Sequence, residues 1–281
     1  MPENTEFDEF VYRDAARILD LTDDNVLQAL QPLGSGMRTR AVLVTGKGVA
    51  HRLGSQRVVI KLYKGRGNPS GGAPFIAFHG THFQLLADIL NGLPVQRSLE
   101  SGRWRIGHVP YALLEYVEGD LLRNMLNAPE KLPWSTISGL IRSLLQGIWI
   151  PVWSRGLRFK DCHPGNFLRT GETQLTMIDT DQLRKDAAEL LESPQDWTER
   201  NKHERSGLRR LPGLLIDLLQ ACDQFHNQPR TGLKRSVNDA LTTTRLAERL
   251  SVLGRVDAGE EDAITGVESL IEALSPVGST L

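Results

Sequence analysis

Three oxygen-bearing side chains in this sequence have the types and spacing that phosphate chemistry requires. Asp161 and Asn166 are the two ends of the segment Asp-Cys-His-Pro-Gly-Asn, and Asp179 follows an apolar strand pattern at residues 175–178. Phosphoryl transfer needs a carboxylate near the acceptor hydroxyl and oxygen ligands that hold Mg²⁺ against the phosphates. We therefore expect Asp161 to orient or deprotonate a hydroxyl, and Asn166 and Asp179 to bind magnesium.

The elements that must position these residues come in a clear order, with strand patterns first and helical patterns later. The strand patterns are rich in β-branched and aromatic residues and occupy residues 41–44, 58–62, 104–108 and 111–116. Helical spacing of apolar residues is found at residues 75–90, 120–126, 135–153 and 208–225, and in an N-terminal segment that Pro32 ends. Short strands are expected near Phe167 and at residues 175–178, and the fold class predicted is α+β.

The segment of residues 161–166 resembles the catalytic loop of the protein-kinase-like superfamily, in the D-x-H-x-x-N form of the aminoglycoside and choline kinase type. Ile178 and Asp179 resemble the metal-binding strand end of that family. The resemblance implies a two-lobed fold, with a small antiparallel β-sheet lobe and a mostly helical lobe. Lys160 and Cys162, with Phe167-Leu168, are also similar to bacterial lipopolysaccharide core kinases, which phosphorylate heptose or Kdo sugars.

The resemblance continues upstream in the expected order and covers roughly residues 33–219. Gly34, Ser35 and Gly36 look like the glycine-bearing phosphate loop, placed before the first strand, where absent side chains let backbone N–H groups approach a nucleotide. Lys61 stands where the family has the third-strand lysine that contacts the α- and β-phosphates. The cofactors implied are therefore ATP and Mg²⁺.

A hinge between the lobes is expected at Glu115 and Tyr116, and the resemblance implies that its main chain meets the adenine. Beyond Ser236, alternating polar and aliphatic residues predict one or two terminal helices or a partly ordered tail. The predicted parts are an N-terminal helical extension, a small ATP-binding lobe, a helical catalytic lobe and a C-terminal segment, at residues 1–32, 33–117, 118–235 and 236–281.

The activity that this resemblance implies is transfer of the γ-phosphoryl group of ATP to a hydroxyl. The acceptor is chosen by surfaces without a transferable motif. The narrower resemblance favours a lipopolysaccharide core sugar; a protein hydroxyl, as for a regulatory or effector serine/threonine kinase, is the close alternative, and an antibiotic or other small molecule is the third.

One departure from the family pattern motivates an alternative of another class. The predicted helix at residues 75–90 should offer a glutamate to Lys61, yet its only acid is Asp88 near its end. A pseudokinase that binds nucleotide and acts as an interaction module would not need that pair. The joint presence of Lys61, Asp161, Asn166 and Asp179 argues against it, since a scaffold has no chemical need for all of them.

Several candidates also have simpler structural interpretations. Asp161 and Asn166 could merely close a turn around Pro-Gly. His163 could pack in the loop or orient the acceptor, and the packing role is slightly favoured. Cys162 is expected to be a small buried residue, because no Cys-His-acid arrangement accompanies it. Core packing is expected for the tryptophans and solvent exposure for a basic cluster, namely Trp134, Trp149, Trp153, Arg205, Arg209 and Arg210.

Composition restricts the setting in which this chemistry would occur. Of the 281 residues, 40% are hydrophobic and 24% charged, which is typical of a soluble globular protein. The formal charge of -1 provides no basic field for nucleic acid, and the two cysteines indicate reduced thiols. With no secretory signal pattern and no apolar run of spanning length, we expect a cytoplasmic protein without a transmembrane segment, for which peripheral membrane contact stays open.

Overall fold

The structure is a computed structural model, and it describes residues 30–35, 39–46, 54, 56–63, 89–103, 110–159, 162–180, 183–185, 208–254 and 259–276. These residues belong to two compact units. The first falls within Met1–Asn91 and Gln96–Tyr116, and the second within Gly92–Val95 and Val117–Leu281. The first unit contains an antiparallel sheet and the second is mainly helical, so the predicted α+β class is confirmed.

A five-stranded antiparallel sheet in the order β1-β2-β3-β5-β4 forms the described part of the first unit. Its strands are β1 (Leu30–Ser35), β2 (Thr39–Thr45), β3 (Arg57–Tyr63), β4 (Ser98–Arg103) and β5 (Pro110–Glu115). The strand predictions at residues 41–44, 58–62 and 111–116 are confirmed. The predicted strand at residues 104–108 and nearly all of the predicted helix at residues 75–90 lie outside the described residues.

The N-terminal helix predicted to end at Pro32 is wrong at its C-terminal end, because Leu30 to Pro32 belong to β1. Proline cannot donate a ladder hydrogen bond and is tolerated on an edge strand or at a bulge. Both conditions hold here: β1 is the first strand of the sheet order, and its register with β2 shifts between Pro32 and Gly34. Apolar residues at helical spacing therefore extended the predicted helix into residues that form the first strand.

The sheet is buried on both faces. Alternation along β3 buries Val58, Ile60 and Leu62 on one face and Val59 on the other. On the second face Val59, Ala112 and Leu114 form a small core, against which Ala41 and Tyr116 pack. This second face also carries Lys61, because side chains two residues apart along a strand share a face.

The second unit contains short strands among helices. Its strands are β6 (Asp120–Leu121), β7 (Leu157–Phe159), β8 (Phe167–Arg169), β9 (Leu175–Met177) and β10 (Leu183–Lys185). They form a β6-β8-β9 sheet and a separate β7-β10 pair. The helices are α1 (Leu122–Leu126), α2 (Trp134–Arg142), α3 (Ile150–Ser154), α4 at residues 208–220, α5 (Arg230–Thr243), α6 (Leu246–Val252) and α7 (Glu260–Leu274). No helix among the described residues is both long and apolar enough to cross a membrane.

The predicted helix at residues 135–153 is confirmed, but its middle is wound differently. A π-helical segment, Ser143–Trp149, joins α2 directly to α3. Pro151, in the first turn of α3, cannot donate an i→i−4 hydrogen bond. The π-helical winding lies directly before this position. Trp149 at the end of the segment and Trp153 beyond it are buried with Phe159, so their predicted packing role is confirmed.

The C-terminal segment forms three helices in the second unit, where the sequence predicted one or two helices or a partly ordered tail. The boundary predicted between residues 235 and 236 falls inside α5, so we place no division there. α7 packs against α2, α3, α5 and α6. On its surface Glu268 accepts hydrogen bonds from Arg142 Nε (2.9 Å) and Nη2 (2.9 Å) and from Gln146 Nε2 (2.7 Å).

A buried arginine joins three segments at the strand that precedes Asp161 in the chain. Arg158 in β7 is only 2% exposed. Its Nη1 donates to the carbonyl oxygens of Trp153 (2.8 Å) and Leu157 (3.0 Å), and its Nη2 donates to the carbonyl oxygen of Leu253 (2.7 Å). These charge-assisted bonds hold β7, the end of α3 and the end of α6 together.

Candidate functional site

The β8–β9 hairpin brings two of the predicted site residues to the same end of one element. Phe167 pairs with Met177, and the Ile178 N–H donates to the Asn166 carbonyl oxygen at 2.8 Å. Asp179 is the next residue in the chain. Asn166 and Asp179 are therefore neighbours at the open end of this hairpin.

Asn166 is a buried polar residue with a defined backbone. It ends a 3₁₀ turn, Pro164–Asn166, and its N–H donates to the His163 carbonyl oxygen at 2.9 Å. The residue is 2% exposed, although an amide side chain carries both donors and acceptors that need partners when buried. The fold therefore buries the side-chain amide of Asn166 instead of exposing it to solvent.

Asp179 has a strained backbone. Its φ is 65°, and among the non-glycine residues that the structure describes only Arg245 shares a positive φ. The left-handed region costs an L-residue about 1–2 kcal/mol, although Asp tolerates it better than most. Strain of this kind concentrates at functional sites. It occurs here at the residue that the sequence assigns to a metal.

Two hydrogen bonds anchor the strand that leads to Asp179. The Leu175 N–H, at the start of β9, donates to Ser143 Oγ at 2.8 Å. The Met177 N–H donates to the carbonyl oxygen of Pro94 at 2.9 Å. The first partner lies at the start of the π-helical segment, so that segment helps to position β9.

His163 shapes the loop before Asn166. Its Nδ1 accepts the Gly165 N–H at 3.0 Å, which caps the 3₁₀ turn, and it lies 3.2 Å from Arg123 Nη2. Because both neighbours can only donate, the network assigns the proton of a neutral ring to Nε2. This arrangement agrees with the structural role that the sequence favoured for His163. Cys162 beside it is buried, as expected.

In the first unit, Lys61 lies in the middle of the sheet. It pairs with Ala41 of β2 and with Ala112 of β5, and it is 7% exposed. The small alanine side chains on both sides leave the lysine as the one long side chain of this row, beside the apolar patch of Val59 and Leu114. One cation therefore lies next to a buried apolar cluster on the same face of the sheet.

The predicted glycine loop occupies a different place from the one expected. Gly34 and Ser35 are the last residues of β1 and pair with Ala41 and Arg40 of β2. The prediction that the loop precedes the first strand is therefore wrong, since the segment links β1 to β2. Gly36 lies outside the described residues, and so does Asp161.

Glu115, one of the two predicted hinge residues, is already hydrogen-bonded through its main chain. Its N–H donates to the Arg97 carbonyl oxygen at 3.0 Å, and its own carbonyl oxygen accepts Gln96 Nε2 at 2.8 Å. Its carboxylate accepts the Arg97 N–H at 2.9 Å and Arg97 Nε at 2.7 Å. Tyr116 follows the strand, and its ring lies 4.4 Å below the Arg57 guanidinium. Glu115 thus ties β5 to the start of β4.

The residues present fit a magnesium site in the type of ligand they offer. Mg²⁺ prefers oxygen and is usually held by one or two carboxylates, with phosphates and water completing its shell. Asn166 and Asp179 supply an amide oxygen and a carboxylate at one hairpin end. In the part of the chain that the structure describes, no three His, Cys, Asp or Glu residues form a metal-binding group.

Sequence reasoning gave no signal for Arg123, Gln96 or Ser143, because none of them belongs to a motif and each acts through a tertiary contact. The comparisons with known proteins add no name to the site. No protein-family model matches the chain, and no curated protein matches it significantly.

Proposed function

We propose that this protein is an ATP- and magnesium-dependent phosphotransferase of the protein-kinase-like superfamily. In this proposal the first unit is the small nucleotide-binding lobe and the second is the helical catalytic lobe. Asp161 orients or deprotonates the acceptor hydroxyl, and Lys61 holds the α- and β-phosphates. Gly34, Ser35 and Gly36 cover the phosphates.

The observation that carries the proposal is the position of Asn166 and Asp179 at the same end of the β8–β9 hairpin. Two residues chosen from the sequence as metal ligands are neighbours through the Ile178–Asn166 hydrogen bond of 2.8 Å. One is a buried amide, and the other has a left-handed backbone that the surrounding hairpin must maintain. A simple turn could account for the left-handed residue, but it would not require a buried amide beside it.

Asn166 and Asp179 are the residues that would hold the metal. When bound, magnesium would neutralise charge on the transferred phosphoryl group. Glu115 is less suited to base recognition than the sequence suggested, because its main-chain N–H and carbonyl already have partners within the sheet. We assign it instead to positioning β5, and we retain Tyr116 as the hinge residue that meets the adenine.

The acceptor we propose first is a lipopolysaccharide core sugar, on the narrower resemblance at residues 160–168. A serine or threonine hydroxyl of a protein is the alternative acceptor. A nucleotide-binding pseudokinase is the alternative from another class.

ATP consumption by the purified protein tests the proposal. The wild type should consume ATP only with magnesium and in the presence of a lysate that contains lipopolysaccharide and protein. Asp179→Asn is the sharpest variant, because asparagine keeps the size of the side chain and tolerates a left-handed backbone while removing the charge. We expect its turnover to fall by about 100-fold or more.

Asp239→Asn is the matched control, since Asp239 is an exposed aspartate on α5 of the same unit. It should retain wild-type turnover. The labelled product, on lipid-linked sugar or on protein bands, identifies the acceptor. ATP binding without turnover would favour the pseudokinase, and wild-type turnover by Asp179→Asn would refute the assignment of the metal site.

A further inference from the structure

An exposed arginine of α1 packs against the loop that contains His163 and Gly165. Arg123 belongs to α1, and its Nη2 is 3.2 Å from His163 Nδ1. A Cβ atom added to Gly165 would lie 2.7 Å from the same Nη2 and 3.0 Å from the guanidinium carbon. The guanidinium therefore rests directly on the bare Cα of Gly165, where any larger residue would displace it.

Arg123 differs from those surface arginines of the second unit that form ion pairs. Arg142, Arg230 and Arg245 each pair with a carboxylate. Among the described residues no carboxylate lies within ion-pair distance of Arg123, and its only hydrogen bond there is to the imidazole of His163. A guanidinium has several N–H donors in a planar fork, so most of its donors remain available to a ligand.

We propose that Arg123 binds an anionic group of the acceptor, a phosphate or a carboxylate carried near the hydroxyl that receives the phosphoryl group. This inference rests on the proposed function, and it names the chemical class of the substrate. Guanidinium groups bind phosphate and carboxylate through paired hydrogen bonds. Asp161, the proposed base, precedes His163 by only one intervening residue in the sequence.

A purely structural role for Arg123 would have different consequences. If Arg123 only oriented His163, its removal would alter the loop without creating or abolishing an anion site. The two roles are therefore separated by anion binding, measured without ATP or turnover.

The binding test uses the full chain and small anions. Methyl phosphate and, separately, acetate are titrated while the imidazole signals of the seven histidines are followed by NMR, with the His163 signal assigned from His163→Gln. Saturable shifts of the His163 signal are expected in the wild type and in Arg209→Gln, an exposed-arginine control on α4. They should be absent in Arg123→Gln. Equal shifts in Arg123→Gln, or none in the wild type, would overturn the proposal.

The turnover test uses the lysate assay at several lysate dilutions. Arg123→Gln should need about 10- to 100-fold more lysate for half-maximal turnover, with the maximal rate nearly unchanged. Methyl phosphate should inhibit the wild type competitively and Arg123→Gln much less. A reduced maximal rate with no change in lysate dependence would mean that Arg123 acts on the loop and not on the acceptor. Anion binding at Arg123 without any turnover would refute the phosphotransferase instead, so the two failures are distinguishable.

Discussion

Replacing Gly254 by alanine should destabilise the second unit much more than the same replacement at Gly156. Both glycines belong to that unit and have similar left-handed backbones, with φ of +80° and +73°. A Cβ added at Gly156 meets nothing within 4 Å. A Cβ added at Gly254 would lie 2.8 Å from the Trp153 carbonyl oxygen, which is a backbone atom and cannot rotate away.

The expected magnitudes follow from the neighbours of that oxygen. Alanine in a left-handed conformation costs about 1–2 kcal/mol. Because alanine gives the unfolded chain less conformational entropy than glycine does, about 0.4–1 kcal/mol of this cost is offset. We therefore expect Gly156→Ala to lose about 1 kcal/mol. The Trp153 oxygen also accepts a bond from Arg158, and losing a hydrogen bond to a charged group costs about 1.5–3 kcal/mol. Gly254→Ala should therefore lose about 3 kcal/mol.

Urea unfolding of both variants, followed by tryptophan fluorescence, measures this difference, because Trp149 and Trp153 are buried in the same unit. The effect on the unfolded chain is the same in both variants and cancels in the comparison. Losses that agree within about 0.5 kcal/mol would refute the idea that close backbone contact at Gly254 matters.

Glu268→Gln should lower the free energy of unfolding by about 0.5–1 kcal/mol at pH 7, because both partners are nearly half exposed. Hydrogen bonds from Arg142 hold the pKa of Glu268 below its ordinary value, so this stabilisation is present above about pH 4.3 and disappears as the pH falls through the lowered pKa. Ser143→Ala leaves the Leu175 N–H without its acceptor and should cost about 1–3 kcal/mol. Burial raises the pKa of the Cys222 thiol to about 11. About one thiol in a thousand is then ionised at pH 8, so a thiol reagent should label Cys222 only after unfolding.

Matched measurements separate these effects from general damage. Glu272→Gln, an exposed change on the same helix, should leave stability unchanged at pH 7 and pH 3, and an equal loss there would contradict the ion-pair explanation. Ser269→Ala removes only an exposed hydroxyl and should cost less than about 0.5 kcal/mol. Labelling of folded Cys222 at the rate of an unfolded thiol would contradict its burial.

The sequence predicts the elements of the sheet where local pattern and pairing agree. β2 and β3 have runs of β-branched residues that suit a half-buried pleated surface, and both were found. β4 was missed because Ser-Leu-Glu-Ser-Gly-Arg has little strand character, and its pairing with β5 depends on a distant segment. Leu30 to Pro32 were assigned to a helix because the local apolar spacing is helical, although these residues pair with β2 as a strand.

For the candidate site, residue type and spacing predicted Asn166 and Asp179, and the hairpin register places them together. No sequence pattern could predict the hydrogen bonds that engage the Glu115 main chain, because they come from Gln96 and Arg97 across the sheet. Arg123 could not be predicted either, since its contact depends on the bare Cα of Gly165 in a loop that follows much later in the chain.

The hydrogen bond from Arg158 to Leu253 has a consequence for how this protein is made. Its partners are 95 residues apart, so β7 leaves the ribosome before the carbonyl oxygen that its arginine needs. At ordinary rates of translation that interval lasts roughly 5–20 s. During that interval Arg158 Nη2 has no Leu253 carbonyl oxygen to bind and stays hydrated. We therefore expect β7 to reach its final packing only later. The second unit should therefore complete its core only after Leu253 has been synthesised.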